Sequence, residues 1–169
     1  MKTREEILQE IYNKAYKYEA ERGSCPQCVL SAIMETLDIG DPDTVKAADA
    51  LAGGTALSTE GTCGALVGGL LAIGAITGRT YENFSKGECR RRVFQYAKKL
   101  YDRFVKKYGS PVCKDIHVKL FGRTFDFYDS KDYKEFEKMG AHVDKCTSIS
   151  GDVARWAAEI ILDDLKKNY

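Results

Sequence analysis

The chain has 169 residues, 44% hydrophobic and 30% charged, enough for one globular domain with a substantial core. Its 26 basic and 25 acidic residues nearly cancel, so no long-range field selects nucleic acid or an anionic membrane. The first residues, Met1-Lys2-Thr3-Arg4-Glu5-Glu6, run straight into a charged amphipathic pattern without an apolar signal core, which predicts a cytoplasmic protein. Six cysteines in a reducing compartment then read as ligands, redox centres or buried thiols rather than structural disulfides.

Helical signals dominate from the start. Thr3 and Glu6 form a capping box before a helix with Ile7, Ile11, Ala15 and Tyr18 on one face, ended by Gly23. Ser24-Cys25-Pro26 starts a second helix carrying Val29, Ile33 and Leu37, since proline suits a first helical turn. A turn over 38–43 and a short helix over 43–51 lead to the Gly53-Gly54 breaker. Between Gly61 and Gly78 there is no charged residue, and Cys63 to Gly74 reads as a helix apolar on every side. Such a helix is buried in a core or a bilayer. The segment barely reaches the ~20 residues of a membrane span and is rich in glycine, so a buried central helix with close neighbours is expected.

Ser85 and Glu88 suggest a second capping box, opening a long helix marked by Val93, Ala97, Leu100, Phe104 and Tyr108 and stopped by Gly109-Ser110-Pro111. A short helix begins near Cys113. Residues 121–128 alternate briefly, predicting a small hairpin or an aromatic-rich loop. Ser130 to Met139 forms a short polar helix, and the last helix carries Val153, Trp156, Ala157, Ile160, Ile161 and Leu165 on one face. No repeat or linker divides the chain. The expectation is one all-α domain over residues 1–169, a helical bundle around a buried glycine-rich helix.

Cys25, Cys63, Cys113 and Cys146 each fall where a helix is predicted to begin. A helix N-terminus offers free N–H groups and partial positive charge, and both favour the thiolate that binds metal or does redox chemistry. Dispersed as they are, the four can meet only through folding. Convergence would suit an iron–sulfur cluster, which takes thiolate ligands and carries negative charge that helix N-termini stabilise. Gly64, directly after Cys63, would let the backbone approach inorganic sulfide.

Three other chemistries compete. Cys25-Pro26-Gln27-Cys28 is a Cys-x-x-Cys, so a metal-free thiol–disulfide oxidoreductase could use Cys25 as nucleophile and Cys28 to resolve. A charged helix precedes it, however, not the strand of a thioredoxin-like unit. His117 and His142 each stand four residues from a cysteine, Cys113 and Cys146, and two such pairs would suit tetrahedral zinc. Alternatively the cysteines are inert core residues of a helical interaction protein. No catalytic triad, P-loop or dinucleotide fingerprint is present, the acids and lysines of Asp163-Asp164-Leu165-Lys166-Lys167 read as a solvated face, and Arg90-Arg91-Arg92 is too short for an anion site.

Cys25 with Pro26 and Val29, then Cys63-Gly64-Ala65-Leu66-Val67-Gly68, then single cysteines at Cys113 and Cys146, resemble the C_GCAxxG_C_C family, for which redox function is inferred. The resemblance covers the chain from about Cys25 to the last helix. Thr62 stands where the family name puts glycine, Cys28 and Cys89 are additional, and the stretch from Cys113 to Cys146 is long. The resemblance implies that Cys25, Cys63, Cys113 and Cys146 are the working residues. Together with their placement, it predicts a soluble redox protein that binds an iron–sulfur cluster, with zinc the weaker choice, for electron transfer or redox sensing. Its expected partners are a redox protein and a second copy in a homodimer, not nucleic acid or a membrane.

Overall fold

The computed structural model of the protein describes residues 2–89 and 91–166. Nine α-helices make up the described residues, with no strand among them: α1 (Arg4–Arg22), α2 (Cys25–Leu37), α3 (Pro42–Ala48), α4 (Gly64–Thr77), α5 (Tyr81–Ser85), α6 (Arg91–Tyr108), α7 (Cys113–Phe121), α8 (Ser130–Lys138) and α9 (Cys146–Leu165). A 3₁₀ turn, Asp49–Leu51, extends α3, and a π-helical turn, Ala141–Lys145, runs directly into α9. No described helix is long and apolar enough to cross a membrane.

The expected central helix is there. α4 is apolar on all sides, and α2, α6 and α9 all pack against it. Its glycines set two of those distances. A Cβ on Gly68 would lie 2.5 Å from the Pro26 carbonyl oxygen and 3.0 Å from Val29 Cβ, so α2 touches α4 through backbone. A Cβ on Gly69 would lie 2.7 Å from Val153 and 2.8 Å from Leu100, which sets the approach of α9 and α6. Around this axis Ile11, Val29, Leu30, Ile33, Leu66, Leu100, Phe104, Val153 and Ile161 form one continuous core. Contiguous burial of this kind, at about 25 cal/mol per Å² of apolar surface, is the main favourable term.

The Thr3–Glu6 capping box closes the start of α1 in both directions. Four expectations need correction. No hairpin forms at 121–128: Phe121, Phe125 and Phe127 turn inward around Phe136 and form a second, aromatic core. Ser85 does not cap α6; it ends α5, where its hydroxyl donates to the Glu82 carbonyl, and Thr80 is the residue that caps a helix there. Asp164 is not on a solvated face but buried, accepting from Tyr96 at 2.7 Å and paired with Arg92. Arg90 and Lys167 lie outside the described residues. The fourth correction concerns Cys146 and belongs to the site.

Candidate functional site

Four segments that are distant in sequence line one cavity of about 100 Å³, and each brings a cysteine: Cys25, Cys63, Cys113 and Cys146. Local structure explains the convergence. Cys25 is the first residue of α2, entered through Gly23 and Ser24, both in left-handed conformations. A Cβ on Gly64 would come within 3.2 Å of Cys25 Cβ and 3.5 Å of its Sγ, so the glycine after Cys63 is what lets the start of α2 lie against the start of α4. Cys63 and Cys113 are tied together by backbone. The Cys63 N–H donates to the Pro111 carbonyl at 2.8 Å, the Cys113 N–H donates to the Gly61 carbonyl at 2.9 Å, and Thr62 and Val112 form an isolated antiparallel bridge between them. Gly54 completes this corner, since a Cβ there would lie 2.7 Å from Cys113 Cβ.

Cys146 arrives differently. The π turn precedes it without a break, and its own N–H already donates to the Ala141 carbonyl. It is therefore one turn inside a continuous helical segment, and the helix-start placement expected for all four cysteines holds for three. The extra residue of a π turn is a device often found at functional sites.

Burial dominates the acid–base state of these sulfurs, against the expectation that helix starts would favour thiolates. It pushes the Cys63 thiol up to about 11, opposed by hydrogen bonds from the N–H groups of Ala65 and Leu66 at the start of α4. Cys25, Cys113 and Cys146 are pushed up first by burial as well, and then by negative charge: Glu19 at Cys25 and Cys146, ionised Cys63 and Glu19 at Cys113. An ionised Cys63 thus opposes ionisation of the other three, and Cys25 and Cys146 also feel Cys113. All six cysteines are free thiols.

Sequence reasoning missed Glu19. The buried face of α1 is Leu8, Ile11, Ala15 and Glu19, so the carboxylate continues an apolar stripe into the cavity. That spacing, an acid four residues beyond a buried alanine, was the available signal. Ser150 donates to Glu19 Oε2 at 3.2 Å, while His142 Nε2 stands 3.6 Å from Oε1. The other ring nitrogen of His142 pairs with Glu137 at 2.6 Å. Glu19, supported by Glu137, holds His142 above the ordinary imidazole value against the effect of burial.

His117 also lines the cavity, with Nε2 3.5 Å from Cys113 Sγ, as the four-residue spacing predicted. His142 does not form the matching pair with Cys146, because both its nitrogens face carboxylates. Among the described residues no three His, Cys, Asp or Glu side chains are arranged to hold a single metal ion. A cluster poses a different demand, since its thiolates bind separate irons and need not meet at one point. Cys28 does not line the cavity; its thiol donates to the Gly23 carbonyl at 2.8 Å, and burial raises it well above the usual range. Cys89 is exposed and also lies outside the cavity.

The family model "Putative redox-active protein (C_GCAxxG_C_C)" matches residues 24–160, most of the chain and all four cavity cysteines. No curated protein and no solved structure matches the chain.

Proposed function

The chain belongs to the C_GCAxxG_C_C family, and from that premise we propose that Cys25, Cys63, Cys113 and Cys146 bind an iron–sulfur cluster used for electron transfer or redox sensing. The observation that carries the reading is the meeting of four dispersed cysteines in one cavity. Four buried thiols, each pushed up first by burial, form an unfavourable set of anions unless a cationic centre joins them. Metal binding reverses that relation, displacing protons and converting mutual repulsion into shared ligation.

The residues fit such a group. The donors are sulfur, which suits iron–sulfur and zinc centres. The backbone cradle depends on glycines at 54 and 64, where a Cβ would crowd the cysteines. A bound cluster supplies one-electron chemistry at a potential set by charge, hydrogen bonds to sulfur and solvent access. The chain's own contribution is to exclude water with Ile116, Phe127, Phe136 and Ile149, and to direct the Ala65 and Leu66 N–H groups at the Cys63 sulfur.

Anaerobic reconstitution with iron and sulfide tests this. The parent should acquire visible charge-transfer absorption with stoichiometric iron and acid-labile sulfide. Cys63→Ser should lose most of both, while Cys28→Ser, altered outside the cavity, should load like the parent. Parent protein that stays colourless and iron-free would overturn the cluster assignment.

A further inference from the structure

His117 is 2% exposed and enclosed by the rings of Phe121, Phe125, Phe127 and Phe136 at centroid distances of 5.2–5.7 Å. Its Nε2 faces Cys113 Sγ at 3.5 Å, and its Nδ1 is a buried polar atom without a hydrogen-bond partner among the described residues. These two facts together favour one tautomer. An N–H buried without an acceptor costs more than a lone pair buried without a donor, and orphaned buried N–H groups are rare. The proton therefore sits on Nε2, directed at sulfur. The same orphan argues against His117 as a metal ligand, because ligating imidazoles almost always donate their other N–H to a carboxylate or carbonyl.

We propose that His117 is a positioning residue that donates an Nε2–H···S hydrogen bond to Cys113 and thereby raises the reduction potential of the centre Cys113 helps to hold. The potential half of this rests on the cluster reading; the tautomer and the hydrogen bond do not. Adding an electron increases negative charge on the ligand sulfurs, so a donor aimed at one of them stabilises the reduced state more than the oxidised. The aromatic enclosure strengthens the effect by keeping water from competing for the sulfur.

Two measurements decide it. In metal-free protein, ¹⁵N NMR of the His117 ring should show a neutral imidazole protonated at Nε2 between pH 6 and 8. In reconstituted protein, His117→Phe removes the donor but suits the aromatic enclosure. At a fixed applied potential near the parent midpoint, its ratio of oxidised to reduced centre should rise about tenfold, a shift of about 59 mV for one electron. His117→Gln, which restores an N–H at similar reach, should recover much of the difference. An Nδ1–H tautomer overturns the proposal, as does a His117→Phe midpoint equal to the parent's. If the parent takes up no iron, the cluster reading fails separately, and the tautomer in metal-free protein still decides whether His117 donates to Cys113.

Discussion

At the residue scale, His117 and His142 occupy the same cavity with opposite acid–base behaviour. Burial among aromatic rings takes His117 down to about 4, while Glu19 holds His142 above its ordinary value. A histidine whose pKa is lowered on folding is protonated in the unfolded chain before it is in the native one. Stability then falls as pH drops from about 6.5 towards 4, by up to about 3 kcal/mol for a shift of this size. His142 contributes with the opposite sign, stabilising below about 6.5 and losing that contribution as pH rises through its folded value. His117→Phe should therefore flatten the acid limb. Denaturant unfolding of metal-free parent and variant at pH 7 and pH 4.5 should show the parent losing markedly more stability than His117→Phe. Equal losses would mean that His117 is not held neutral by its surroundings.

Element by element, α4 carries the most weight, and its glycines are not equivalent. Gly68 sits where a Cβ would meet the Pro26 carbonyl oxygen at 2.5 Å, whereas a Cβ on Gly74 would meet nothing within 4 Å among the described residues. Gly68→Ala should destabilise by about 1–3 kcal/mol through overpacking, and it should also disturb Cys25, which lies next to Pro26 at the start of α2. Gly74→Ala should stabilise by up to about 1 kcal/mol, because alanine loses less backbone entropy in a helix interior. Midpoints of urea unfolding moving in opposite directions for the two variants would bear this out; a Gly68→Ala variant as stable as the parent would mean that α2 and α4 are not in backbone contact. The charge-free stretch from Gly61 to Gly78 made this helix and its burial legible in the sequence. Which glycine faced which neighbour was not legible, because an apolar helix without a polar face has no phase to read. The 121–128 segment left a hairpin and an aromatic-rich loop open for a related reason: Phe121, Phe125 and Phe127 satisfy strand-like alternation, but clustering around Phe136 selects the loop. Before α4, Gly53, Gly54, Thr55, Ala56 and Leu57 all take left-handed φ values of 50–72°, an arrangement no propensity would suggest for the last three. The turn carries Leu57 to the rim of the cysteine cavity.

Considered as a whole molecule, the protein gathers its sulfurs from α2, the start of α4, α7 and α9, so the cavity forms only when the bundle does. The four cysteines were visible in the sequence as a set; Glu19 was hidden within an amphipathic pattern, and the π turn before Cys146 left no signal in composition. Because the site exists only in the folded chain, whatever occupies it stabilises the fold by mass action, by about 2.7 kcal/mol when free ligand stands at a hundred times its dissociation constant. On the proposed reading there is a further consequence: a centre bound by four cysteines on four segments would cross-link the chain over long intervals, as metal and disulfide clips do. Reconstituted protein should therefore melt several degrees above metal-free protein, and anaerobic chelation should return it to the lower value. Cys113→Ser should abolish most of that gap, while its metal-free form melts close to the metal-free parent, because serine retains the small side chain beside the Thr62–Val112 bridge. Differential scanning calorimetry under anaerobic conditions reads all four states. If loading with iron and sulfide leaves the melting temperature unchanged, the metal is held somewhere other than the cavity these helices share.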